Sequence, residues 1–244
     1  MIDVSSSIMQ IQQQIIGILL KSNNGFISFK DCIPIISAII AFFLGRYATD
    51  LSNKKENKKN ASFVETELLD EKNDLIDEIY RYLNDIDEMY DCYTKGSMGN
   101  KISHHVERFL LSSDDNKKSF YLLSSNKNKN IFKQSLKTYN SLCRKGCVIN
   151  ELGEEIRRKM SSNLDNETVC NNDIKEILIS VGRYINESLY FIACVDTMTE
   201  RHEFSLNVEN KDETNESVFS FYFNEKHDTW NKKIRHIMKI LDEE

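Results

Sequence analysis

The scarcity of helix-breaking residues is the feature that most restricts how this chain can fold. One proline and eight glycines occur in 244 residues. Because glycine and proline are the residues least favourable in a helix interior, a chain with so few of them can form long uninterrupted helices. The sequence therefore predicts a mainly α-helical protein.

Apolar residues recur at helical spacing along most of the chain. One repeat covers residues 62–93, a second covers 131–160, and a third begins at Asp173. Residues three and four apart share a helix face, so each repeat predicts an amphipathic helix of a bundle. The third is apolar around more than half of its circumference, which predicts the central helix. The heptad-like spacing of the first fits a coiled-coil contact with another chain and packing within the domain equally well.

Two patterns compete in residues 203–223. Apolar residues alternate at Phe204, Leu206 and Val208, and a polar segment separates them from a second apolar run. Alternation is typical of a strand, so the region allows a small β-hairpin, although helical extensions fit almost as well. A C-terminal amphipathic helix over about 226–241 is predicted by the stripe of Trp230, Ile234, Ile237 and Leu241.

An uncharged, mostly apolar run over residues 33–45 is followed at once by Arg46. A membrane-crossing helix needs about 20 apolar residues, and shorter runs are more often buried core helices. Apolar residues on both sides extend the run, and Lys30 and Arg46 can snorkel toward water, which favours a membrane span over a core helix or a cleaved signal peptide. The residues predicted to form the span are Ile33, Ile36, Ile39, Ile40, Phe42, Phe43 and Leu44.

A basic segment follows the apolar run and sets the predicted orientation. Because cytoplasmic flanks of membrane helices carry an excess of Lys and Arg, we expect a single-pass protein of the inner (plasma) membrane with a cytoplasmic C-terminal domain. Three parts are predicted: residues 1–50 as an amphipathic helix and span, 51–60 as a basic neck, and 61–244 as an acidic α-helical domain. The basic residues are Arg46, Lys54, Lys55, Lys58 and Lys59.

Charge is distributed unevenly between the two ends of the chain. Residues 1–60 carry seven Lys/Arg against four Asp/Glu, a net charge of +3, and residues 61–244 carry 25 against 34, a net charge of −9. An acidic domain repels phosphates, so we expect no direct nucleic-acid binding. The basic neck suits membrane lipids as partners, because their anionic headgroups attract Lys and Arg.

A second amphipathic helix precedes the apolar run. Ile8, Ile11 and Ile15 line one side, and Gln10, Gln13 and Gln14 lie on the other. The helix fits the membrane interface, or packs on the span as a helical hairpin. Because amide side chains can hydrogen-bond between helices in a membrane, the three glutamines are also a candidate face for a homo-oligomer.

No sequence motif for catalysis, cofactor binding or metal binding is present. The chain has no glycine-rich phosphate loop, and its five histidines form no metal-ligand spacing. Its six cysteines include no CxxC pair, so we expect free, reduced thiols. We therefore predict no catalytic, cofactor or metal site, and an enzyme is the less favoured class.

The predicted layout resembles that of small membrane-anchored effectors of bacterial anti-phage systems, in which a soluble domain senses or binds and the membrane part perturbs the bilayer. The resemblance is one of layout and is carried by no residue motif. It implies a regulatory or effector protein that acts by self-association at the inner membrane. Two other classes fit the sequence: a membrane tether or scaffold that recruits a cytosolic protein partner, and a hydrolase with an unrecognised helical active site.

Overall fold

The computed structural model describes residues 29–95, 114–161 and 167–243, together with Gln13. Over these residues the secondary structure is helical, without a strand, which confirms the prediction of a mainly α-helical protein. Contacts divide the chain into two units, Met1–Glu56 and Asn57–Glu244. The helices are α1 (Phe29–Thr94), α2 (Asp114–Leu123), α3 (Asn126–Ser161), α4 (Glu167–Met198), α5 (Lys211–Phe223) and α6 (Asp228–Glu243).

The first helix begins far earlier than the repeat in residues 62–93 indicated. α1 is continuous from Phe29 to Thr94 and includes the predicted basic neck. Pro34 and Gly45 are the only proline and glycine within it. The neck consists largely of lysine and asparagine, and lysine favours helix, so nothing there ends the helix.

The central helix of the second unit is α4, as its sequence predicted. Every side chain from Ser188 to Met198 is buried, and α3, α5 and α6 pack against α4. A helix that is apolar on all sides belongs in the interior. The buried apolar residues include those of the predicted stripe: Ile174, Ile177, Leu178, Val181, Tyr184, Ile185, Leu189, Ile192 and Val195.

The repeat in residues 62–93 of α1 packs into the same core. Leu68, Leu75, Ile79 and Ile86 are all buried. Their burial favours packing within the domain over a coiled-coil contact with another chain, the two interpretations that the heptad-like spacing left open. The stripe on α6 is buried as predicted, at Trp230, Ile234, Ile237 and Leu241.

The β-hairpin expected near residues 203–223 is wrong. Residues 211–223 form α5, and the residues from 202 to 210 adopt neither helix nor strand. Of the alternating residues that suggested a strand, Phe204 is buried but Val208 is 55% exposed. The alternation therefore does not mark one buried face, which is what a strand needs to be stabilised.

Side chains on both sides of the start of α5 form local hydrogen bonds that favour a turn and a helix over a hairpin. The Oδ1 atom of Asn207 accepts the backbone N–H groups of Glu209 and Asn210, at 3.0 and 2.9 Å. The hydroxyl of Thr214 donates to the carbonyl of Ser205 at 2.8 Å. Such local bonds turn the chain and satisfy groups that a hairpin would have paired across strands.

Candidate functional site

The N-terminal part of α1 carries the residues that sequence reasoning assigned to a membrane span. We call residues 36–51 the apolar segment. The side chain of Ile36 is half-buried, and that of Ile33 lies outside the described residues. Seven large apolar side chains are each more than one third exposed, namely Ile39, Ile40, Phe42, Phe43, Leu44, Tyr47 and Leu51.

Most of these side chains share one face of the helix. Spacings of three and four residues place them together, and Phe42 lies off that face. That face consists of Ile36, Ile39, Ile40, Phe43, Leu44, Tyr47 and Leu51. Among the helices in residues 29–95, 114–161 and 167–243, none is both long enough and apolar enough to cross a membrane.

Of the predicted basic residues, Arg46 lies within the apolar segment, and the four lysines follow it along the same helix. Arg46, Lys54, Lys55, Lys58 and Lys59 are all exposed. Of the predicted glutamine face, Gln13 is helical and exposed. Gln10 and Gln14 lie outside the described residues, so that oligomer face stays a prediction.

A buried polar cluster that the sequence analysis missed joins α1, α4 and α5. Lys72 donates to Asp196 Oδ1 at 2.8 Å. The hydroxyl of Tyr222 donates to Asp196 Oδ2, and Lys72 Nζ lies 3.3 Å from that hydroxyl. Lys72 is 6% exposed and Asp196 is fully buried. Burial, followed by the hydrogen bond to Asp196 and its charge, raises the pKa of Tyr222.

This arrangement holds helices together and offers little to a substrate. Both oxygens of the Asp196 carboxylate already accept a hydrogen bond, and the ion pair is closed off from solvent. A buried pair is costly to break, because one charge would remain without its partner. A signal was present in the sequence: Lys72 interrupts the apolar stripe of α1, and Asp196 interrupts the apolar run of α4.

A second buried polar contact joins α1 and α4. The hydroxyl of Tyr184 donates to Glu78 Oε2 at 2.6 Å, and the Tyr184 ring meets the Tyr82 ring edge-on at 5.7 Å between centroids. Burial, and then the charge of Glu78, raises the pKa of Tyr82. Because later residues of α1 contact earlier residues of α4, the two helices run antiparallel in this unit.

Among the residues that the structure describes, the other titratable groups form no recognisable reaction centre. His227 Nε2 lies 3.1 Å from Asn186 Oδ1, and burial lowers the pKa of His227. Burial raises the pKa of the Cys194 thiol to about 12, which keeps it protonated and unreactive. Within the part of the chain that the structure describes, no group of histidine, cysteine, aspartate or glutamate is arranged to hold a metal ion.

One cleft lies beside α1 in the second unit. Its volume is about 410 Å³, and residues of α1, α2, the start of α3 and the end of α4 line it. Phe120, Leu123 and Met198 supply apolar surface, and Lys58, Glu65 and Glu200 supply charge. No motif in the sequence indicated this cleft.

No known protein family, curated protein or solved structure matches this chain. What the chain does is therefore inferred from its own residues.

Proposed function

We propose that this chain is a membrane-anchored regulatory or effector protein that acts by self-association at the inner membrane of a bacterium. The exposed apolar segment of α1 is the observation that carries this proposal. Contact of apolar surface with water is unfavourable by roughly 25 cal/mol per Å². A contiguous exposed apolar face typically marks a surface that meets a membrane or another protein.

The residues beside the apolar segment favour lipid. Lys54, Lys55, Lys58 and Lys59 are exposed, and a basic side chain near an anionic membrane surface contributes about 1 kcal/mol. Tyr47 is exposed next to Arg46, toward the C-terminal end of the segment. Tyrosine is typical of the membrane–water boundary. Apolar, aromatic and basic groups therefore follow one another as they do along a membrane anchor.

The short length of the predicted anchor supports self-association. Residues 32–45 extend about 21 Å as a helix, against a hydrocarbon core of about 30 Å. A short span is accommodated by thinning the bilayer or by oligomerising. Gln10, Gln13 and Gln14 would add hydrogen bonds between copies at roughly 1 kcal/mol each. A thinned bilayer around an oligomer also gives a mechanical or permeabilising output of the kind that anti-phage effectors use.

Flotation of the full chain with lipid vesicles tests the membrane attachment. We expect the wild type to float, and the double variant Ile39→Asp/Phe42→Asp to remain in the soluble fraction, because each charge costs about 2.5 to 3.5 kcal/mol at the centre of a span. The matched control Asn84→Asp/Asn140→Asp adds the same charge at exposed positions of α1 and α3 and should float. A wild type that stays soluble without detergent refutes the anchor.

Crosslinking in native membranes tests self-association separately. Replacing Gln10, Gln13 and Gln14 with leucine should weaken crosslinking between copies while flotation is unchanged. A strictly monomeric wild type, in membranes and in mild detergent, refutes self-association but leaves membrane attachment standing. An unchanged membrane potential after induction refutes the permeabilising output alone.

A further inference from the structure

The cleft beside α1 has the size and the mixed lining of a small-molecule site. Its volume of about 410 Å³ falls within the roughly 300 to 1,000 Å³ of such sites. Phe120, Leu123 and Met198 provide an apolar wall, and three charged side chains approach from α1 and from the end of α4. A few polar groups on an apolar surface are the usual means of orienting a bound molecule.

The walls of the cleft are held in place by contacts within the protein. Ser119 Oγ of α2 donates to Asn57 Oδ1 of α1 at 3.0 Å. The Phe120 ring packs on the Phe132 ring of α3, with 4.6 Å between centroids. Asn128 Nδ2 donates to the carbonyl of Met198 at 3.3 Å. A site that is held open in this way loses little entropy on binding.

Three of the four neutral polar side chains that line the cleft already form hydrogen bonds within the protein. Ser124 Oγ donates to the carbonyl of Phe120 at 2.7 Å, and Thr199 Oγ1 donates to that of Val195 at 2.9 Å. The Asn128 amide is committed to Met198. The groups left to meet a bound molecule are therefore the charged side chains and the hydroxyl of Ser62.

The balance of these charges selects a cation. Glu65 and Glu200 supply two carboxylates against the single ammonium of Lys58, and none of the three forms an ion pair with another residue that the structure describes. The cleft also includes Met198, the last residue of α4, and the carbonyl end of a helix attracts positive charge. An aromatic ring such as that of Phe120 can likewise attract a cation.

We propose that the cleft binds a small organic ammonium that carries an apolar or aromatic group. Its ammonium lies by Glu65 and Glu200, and its apolar part packs on Phe120, Leu123 and Met198. The binding site itself does not depend on the proposed function.

Calorimetric titration of the full chain in mild detergent, with protonated 2-phenylethylamine as the probe, tests the site. The matched anion is 3-phenylpropionate. We expect the cation to bind and the anion not to bind. Glu65→Gln and Glu200→Gln should each weaken binding about two- to five-fold, the range for an exposed charge pair. Ala61→Leu, which adds bulk at a lining position of the cleft on α1, should abolish it.

The control Glu151→Gln removes one exposed carboxylate of α3 outside the cleft and should bind like the wild type. Equal binding of the anion, no binding of the cation, or an equal loss in Glu151→Gln overturns the proposal. Binding that survives Ala61→Leu places the probe elsewhere and also overturns it. Because the titration measures no membrane attachment and flotation uses no ligand, the failure of either proposal is distinguishable from the failure of the other.

Discussion

Two helical stretches that are both rich in large apolar residues have opposite surroundings. Phe42 in the apolar segment of α1 is 63% exposed, whereas Phe191 in α4 is fully buried. The apolar side chains of α4 are covered by other helices of the chain, so they stabilise the fold. Those of the apolar segment contribute little to it, because burial is what makes an apolar side chain stabilising. Apolar periodicity therefore predicts a helix without showing what covers it.

The largest expected effect is on the free energy of unfolding, which should fall for a charge placed in α4 but not for one placed in the apolar segment. Val181→Asp and Ile185→Asp should each unfold the protein, because an unpaired charge in the core costs several kcal/mol out of a total of about 5 to 15. Phe42→Asp should change the free energy of unfolding by less than about 0.5 kcal/mol. Urea denaturation followed by circular dichroism measures the free energy of unfolding of each variant and of the wild type.

Ile179 provides the matched control for the core substitutions. It lies on the same helix as Val181 but is 38% exposed, so Ile179→Asp should leave the protein folded. If Phe42→Asp destabilised the protein as much as Val181→Asp, the apolar segment would belong to the core, and the difference in surroundings between the two stretches would be refuted.

The second prediction concerns the buried ion pair between Lys72 and Asp196. Lys72→Met should destabilise the protein by about 3 to 5 kcal/mol, because it leaves the Asp196 carboxylate buried without its cation. The double variant Lys72→Met/Asp196→Leu should recover much of that loss, since neither charge remains. Lys95→Met, which breaks the exposed pair with Asp91, should give no measurable change in the urea midpoint. Equal losses in the single and double variants would contradict the pairing.

Sequence periodicity was a good guide to the helices and a poor guide to the polar groups. The stripes of α1, α4 and α6 were recognised because each buries one face that repeats every three to four residues. Lys72 and Asp196 are 124 positions apart, and only tertiary packing brings them together. The strand expected at Phe204 to Val208 was wrong for a related reason: the side chains of Asn207 and Thr214 form local hydrogen bonds that the alternation does not reveal.

A smaller effect is expected from pH at His227. Its pKa is lowered from 6.5, because burial disfavours the imidazolium form. The unfolded chain therefore binds this proton more readily, so the contribution is complete above pH 6.5 and falls as the pH drops from 6.5 toward the lower pKa of the folded state. His227→Gln should remove this part of the pH dependence of unfolding, whereas the exposed-site variant His236→Gln should keep it. Identical pH profiles for His227→Gln and the wild type would contradict the assignment.

The smallest effects on stability are expected from replacing Gly45 in the apolar segment and Gly182 in α4 with alanine. A Cβ added at Gly45 meets nothing within 4 Å, whereas one added at Gly182 lies 3.3 Å from Cζ3 of Trp230. Alanine is favoured over glycine in a helix by roughly 0.5 to 1 kcal/mol. Gly45→Ala should stabilise the helix around residue 45 by about this amount, which hydrogen exchange of neighbouring amides in mild detergent would detect. In Gly182→Ala the gain should be offset as the indole shifts, leaving the urea midpoint within about 1 kcal/mol of the wild type.

The variant Gly45→Ala also reports on what covers the apolar segment in a membrane. If lipid alone surrounds Gly45, an added methyl group meets only flexible chains, so crosslinking between copies should match the wild type. If another helix packs at Gly45, the methyl group separates the two backbones, because close approach in membranes depends on small residues at the contact. A selective loss of crosslinking with unchanged flotation would then place the contact between copies at Gly45 instead of at the glutamines.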